Sequence, residues 1–113
     1  MSEFTYLFRG GMPPGSAELT QQRMQKWVAW MKELSEKGHL KNPGNPLEPT
    51  GKLVKGNQKT VTDGPYAEAK DIVGGYIVIE ARDIDHAVDI SNGCPVFEAG
   101  GSVEVRPVMK FSM

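Results

Sequence analysis

The chain has 113 residues, 24% of them charged and 39% hydrophobic, which is the size and make-up of one globular domain spanning 1–113. Its formal net charge is −1, with Lys and Arg scattered, so it lacks the clustered positive face that nucleic acid requires. No apolar run approaches the roughly 20 residues of a membrane helix, and the lone Cys94 cannot form an internal disulfide, which fits a reducing cytoplasm.

The opening MSEFTYLFRGG has no basic region followed by a long apolar core and does not read as a signal peptide. Residues 3–9, EFTYLFR, alternate: Phe4, Tyr6 and Phe8 point one way, Thr5, Leu7 and Arg9 the other, which predicts a strand. GGMPPG at 10–15 breaks it. Ser16 is placed to cap a helix with Glu18 in its first turn. Met24, Trp27, Val28, Met31 and Leu34 then form one apolar stripe, with Trp30 beside it, over a helix of about twenty residues. Lys37 falls in the last turn and Gly38 is a left-handed stop.

Residues 39–50 carry Pro43, Gly44, Pro46 and Pro49 and predict an irregular loop. Leu53 and Val54, the turn KGNQ, and Thr60 to Thr62 predict a hairpin. Gly74-Gly75 opens YIVIEA at 76–81, an almost continuous apolar run that predicts a central strand covered on both faces. Asp83 or Asp85 caps a second helix, with Ile84, Ala87 and Val88 on one face; Asn92-Gly93 ends it, and Pro95 prevents its continuation. In GGSVEVRPV at 100–108, Val103 and Val105 alternate with Glu104 and Arg106, and Pro107 places the strand end at an edge.

The order strand, helix, hairpin, strand, helix, strand predicts an α+β fold: a ferredoxin-like antiparallel sheet with one extra strand and two helices on one face. Two helices cover only one face of such a sheet, yet the first strand and YIVIEA carry apolar residues on both. The simplest cover for the second face is another copy of the chain, giving a homodimer built as a dimeric α+β barrel.

Several segments resemble the YCII-related family, in its DGPF-domain branch: LFRGG at 7–11, KWVAW at 26–30, NPLEPTGK at 45–52, VTDGPYAEAKDIVGGY at 61–76, GCP at 93–95 and GGSVEVRPV at 100–108. Tyr66 stands where the branch name puts Phe. The resemblance implies a dimeric α+β barrel and no settled activity. Distant members carry a His–Asp pair that implies an enzyme; its Asp carries over to Asp63, whereas His39 has no counterpart. The resemblance also implies an association with sigma factors of the extracytoplasmic-function type.

Asp63-Gly64-Pro65-Tyr66 admits two readings. As a connection, Asp63 accepts backbone N–H groups, and Pro65 fixes the path into the next strand. As the rim of a cleft between sheet and first helix, Asp63 is an acid or base, Tyr66 a hydroxyl donor, and Glu68 and Lys70 polar anchors. Arg9 and Arg106 are candidates for an anionic group or for ion pairing, Arg9 with Glu104. His39 is a proton shuttle or a partner of the helix C-terminus; Trp27 lines a pocket with Trp30 or packs in the core. No Cys/His run has metal-ligand spacing and no glycine pattern forms a phosphate loop. The expected ligand is therefore a small organic molecule, bound or turned over without metal or nucleotide cofactor. The rival expectation is a non-catalytic accessory or regulatory module.

Overall fold

The computed structural model describes residues 1–10, 16–64 and 71–111. Strand β1 (Ser2–Arg9) leads into helix α1 (Ala17–Glu36), strand β2 (Leu40–Pro46), strands β3 (Gly51–Lys55) and β4 (Thr60–Gly64), strand β5 (Val73–Ala81), helix α2 (Ile84–Ser91), a short 3-10 helix (Pro95–Ala99) and strand β6 (Ser102–Pro107). Four strands form an antiparallel sheet in the order β2-β5-β1-β6. Taken without the β3–β4 hairpin, that is the ferredoxin-like order, with β1 and β5 in the middle.

Alternation sorts the sheet residues. Phe4, Tyr6 and Phe8 of β1 face the helices with Ile77, Ile79 and Ala81 of β5, and all six are buried. Trp30 and Leu34 of α1, Ala87 of α2, Cys94 and Val96 complete this core. A fully buried large apolar side chain contributes about 1.5–3 kcal/mol, so this single layer carries most of the fold's stability.

Both helices are capped from their own sequence. Ser16 Oγ accepts the Leu19 N–H at 3.1 Å, and Asp83 Oδ1 accepts the His86 N–H at 2.8 Å. At the end of α1, Lys37 is the C-cap rather than a last-turn residue. Gly38 follows at φ 77°, and His39 N–H returns to Leu34 O at 2.9 Å, a Schellman closure that needs a left-handed residue.

The stripe on α1 is rotated from the expected one. Trp27, Trp30, Met31 and Leu34 face the sheet, while Met24 and Val28 are 58% and 64% exposed. The indole of Trp30 stacks on Tyr6 at 6.3 Å, and Trp27 meets the edge of Phe8 at 4.9 Å. The two large rings bury more area than Met24 and Val28 would, and they set the helix rotation. On α2 the buried positions are Ala87 and Ser91, while Ile84 and Val88 are exposed.

The proline-rich stretch 39–50 departs most from expectation, since much of it is the edge strand β2 rather than a loop. Its register to β5 slips twice, between Leu40 and Asn42 and between Asn42 and Asn45. An edge strand needs only one side of its hydrogen-bonding capacity, so it tolerates proline and bulges. Gly44 is required there: its φ is 55°, and a Cβ would lie 1.8 Å from the Tyr76 carbonyl oxygen. The predicted hairpin is present as β3–β4, but it forms its own two-stranded sheet.

Candidate functional site

The face of the sheet turned away from the helices carries Glu3, Thr5, Leu7 and Arg9 from β1. Register places Glu80, Val78 and Tyr76 of β5 opposite the first three, and Arg106 and Glu104 of β6 opposite Thr5 and Leu7. Leu7, Val78 and Tyr76 form an apolar centre, each half-buried. Among the described residues no helix lies on this side, because the buried faces of α1 and α2 belong to the opposite core.

A charged cluster borders that centre. Arg9 Nε donates to Glu104 Oε1 at 3.0 Å, and a second Arg9 nitrogen donates to the Asp71 carbonyl at 2.6 Å. Arg106 Nε approaches the other oxygen of Glu104 at 3.8 Å. Among the described residues one carboxylate thus serves two guanidiniums, leaving an excess positive charge there. The Arg9–Glu104 pair was readable from sequence. The convergence of Arg106 on the same carboxylate, and the placing of Tyr76 and Leu7 next to it, depend on strand register.

Asp63 lies on the hairpin. Its carboxylate pairs with Lys52 directly across the strands and is 90% exposed. Tyr66, Glu68 and Lys70, with Pro65, lie outside the described residues. Trp27 is half-buried in the aromatic cluster with Phe8 and Trp30. That cluster fills the space between sheet and α1, where the sequence suggested a cleft.

His39 sits beyond α1, and its Nδ1 is 3.2 Å from the Glu80 carbonyl, a contact that only a protonated Nδ1 satisfies. Its ring meets that of His86 edge to face, with centroids 5.3 Å apart. His86 is half-buried rather than exposed, and its Nδ1 accepts the Arg82 N–H at 3.1 Å. Sequence reasoning did not bring these two together, because nothing local in 39 or 86 reports the end of β5 that joins them. Among the described residues, no group of three His, Cys, Asp or Glu side chains is placed to hold a metal ion.

The remaining titratable groups of note are in the core. Burial pushes the Cys94 thiol up to about 12, against a weaker opposing hydrogen bond from the Val96 backbone. Burial, and then the charge of Cys94, raise the Tyr6 hydroxyl as well; that hydroxyl donates to the Ala87 carbonyl. Both groups are held protonated, which suits packing and not nucleophilic chemistry. Among the described residues, no helix is long and apolar enough to cross a membrane.

A family model, the YCII-related domain, matches residues 6–112. An uncharacterised protein of Rhizobium meliloti (strain 1021) is 32% identical over 101 residues, covering 82% of this chain and 78% of that protein. Among solved structures, the 5-chloro-2-hydroxyhydroquinone dehydrochlorinase of Burkholderia phenoliruptrix, in complex with 2,5-dihydroxybenzoquinone, is similar at 17% identity with a TM-score of 0.48. The match covers 97% of this chain and 95% of that one.

Proposed function

The chain belongs to the YCII-related domain family, and from that premise we propose that it is a homodimer that binds a small organic anion between the helix-free faces of its two sheets. The observation that carries this is the Arg9–Glu104–Arg106 cluster beside Leu7, Val78 and Tyr76. An excess guanidinium charge next to an apolar floor suits a carboxylate on an apolar body, because the fork geometry of Arg matches a carboxylate while the body is drawn from water. A second copy laid on the open face closes the floor from above and excludes solvent, which strengthens the ion pair.

Binding without turnover is the favoured form of the activity. Asp63, the carboxylate of the Asp-Gly-Pro-Tyr motif, is exposed and already paired with Lys52. A solvated, paired carboxylate has no cause to act as a general base.

Two measurements test this. Light scattering at micromolar concentration should give twice the chain mass. Calorimetry against a series of small aliphatic and aromatic carboxylates, each matched with its neutral amide, should show binding of acids only. Arg106→Gln should weaken that binding at least about tenfold, or about 1.4 kcal/mol. Equal affinity for acids and amides, or no effect of Arg106→Gln, would remove the anion site.

A further inference from the structure

The β3–β4 hairpin bonds to no strand of the four-stranded sheet. A two-stranded hairpin alone is marginally stable in water. This one sets Val54 directly opposite Val61, and the two side chains are 61% and 60% exposed. The chain is flat as well as extended, with dimensions of 46 × 45 × 19 Å and a radius of gyration of 15.7 Å. A compact chain of this length has a radius of about 13 Å.

The hairpin is basic. Its charged residues are Lys52, Lys55, Lys59 and Asp63, and Asp63 pairs with Lys52. Lys59, at the turn, has no carboxylate partner among the described residues. The main sheet has the complementary feature. Glu3 and Glu80 lie directly opposite each other on β1 and β5, and like charges so placed destabilise a strand pair. Lys41 approaches Glu80 at 3.8 Å, but Glu3 has no cation partner among the described residues.

Topology places the two features at opposite ends of the molecule. The hairpin follows the C-terminal end of β2 and precedes the N-terminal end of β5, whereas Glu3 and Glu80 mark the start of β1 and the far end of β5. A two-fold axis running across the strands brings the hairpin end of one sheet over the Glu3–Glu80 end of the other.

We propose that the β3–β4 hairpin is a dimerisation arm: it docks on a second copy of this chain, burying Val54 and Val61 and setting Lys59 of its turn on Glu3 and Glu80 of the partner subunit. The inference rests on the dimer proposed above and adds to it the contact that fixes how the two sheets face each other. It explains the exposed valines, the position of Lys59 and the opposed carboxylates with one arrangement. Charge complementarity of this kind sets register and orientation more than raw affinity.

The experiment is sedimentation equilibrium over a dilution series, with tryptophan fluorescence as a check of fold, since Trp27 and Trp30 are far from the hairpin in the packing scheme. Val54→Asp with Val61→Asp should leave the fluorescence of the fold intact and weaken the dimer by at least about tenfold. Lys59→Glu should weaken it about fivefold, as loss of a half-screened ion pair and its replacement by repulsion does. Combining Lys59→Glu with Glu3→Lys should recover most of that loss. A wild-type protein that is monomeric throughout overturns both the arm and the dimer. A dimer whose affinity is unchanged by the two aspartates overturns the arm alone. Failure of the charge swap to recover affinity overturns the Glu3–Glu80 landing point.

Discussion

Alkaline pH should destabilise this protein through a group that has no part in binding. Cys94 is buried between α2 and the 3-10 helix, and burial holds its thiol pKa at about 12 against an ordinary value of 9.0. Well below pH 9 the thiol is protonated in both folded and unfolded chains, and its contribution to stability is fully present. As pH rises from 9 toward 12, the unfolded chain releases the proton and the folded chain keeps it. The unfolded state then binds fewer protons, and stability falls by about 1.4 kcal/mol per pH unit. The Tyr6 hydroxyl, raised from 10.0, adds a loss of the same sign that sets in as the pH approaches 10 and grows above it.

Tyr6 is common to wild type and a Cys94→Ala variant, so the difference between the two from pH 8 to pH 10 isolates Cys94. Over that range the wild type should lose about 1.4 kcal/mol that the Cys94→Ala variant does not lose. The variant starts about 1 kcal/mol lower at neutral pH, because the removed sulfur leaves a small void, and that offset does not depend on pH. Urea unfolding at pH 7, 8, 9 and 10, followed by the fluorescence of the packed Trp27 and Trp30, reads both quantities. Parallel stability curves for wild type and Cys94→Ala would refute the assignment of the alkaline loss to this thiol.

Three further outcomes follow from the packing. Gly44→Ala should cost about 2 kcal/mol or more, because the new Cβ meets the Tyr76 carbonyl and the backbone is left-handed there; hydrogen exchange at the β5 amides should rise as β2 loosens. Trp30→Ala should cost about 3–5 kcal/mol in thermal or urea unfolding, since it empties the stack on Tyr6 and the contact with Phe8. Asp63→Asn should change stability by no more than about 0.5 kcal/mol, since the carboxylate is exposed and its pair with Lys52 is solvated; a large drop in melting temperature would show that Asp63 is structural.

What could be read in the sequence was whatever local periodicity reports. The alternation of Phe4, Tyr6 and Phe8, the caps at Ser16 and Asp83, and the two-faced run at 76–81 each follow from neighbours a few residues away. β2 was hidden because Pro43, Gly44 and Pro46 are breakers by every local rule. Only the presence of β5 on one side, with water on the other, makes a strand of them. The rotation of α1 was hidden for a related reason: the stripe Met24, Trp27, Val28, Met31 is as regular as the one used, and the choice was made by the aromatic rings of β1. In the candidate site, Arg9 and Glu104 were legible because each occupies the outward phase of its strand. Tyr76 beside Leu7 and His39 against His86 were not, since both contacts are set by pairings between elements distant in sequence.

The helix-free face also argues its own purpose through the order of its residues. A sheet face held in water carries polar side chains along its strands. This one does the reverse: Leu7, Val78 and Tyr76 occupy the middle, while Glu3 and Glu80 lie at one end and Arg9, Glu104 and Arg106 along the β6 side. An apolar centre ringed by charge is the anatomy of an interface core and rim. The same chain extends a basic hairpin with exposed valines away from that sheet. Each surface is costly alone, one in exposed apolar area and opposed carboxylates, the other in a hairpin without support. The two-fold pairing proposed above would satisfy both and would leave the Arg9–Arg106 cluster at the edge of the enclosed space, open to a small anion.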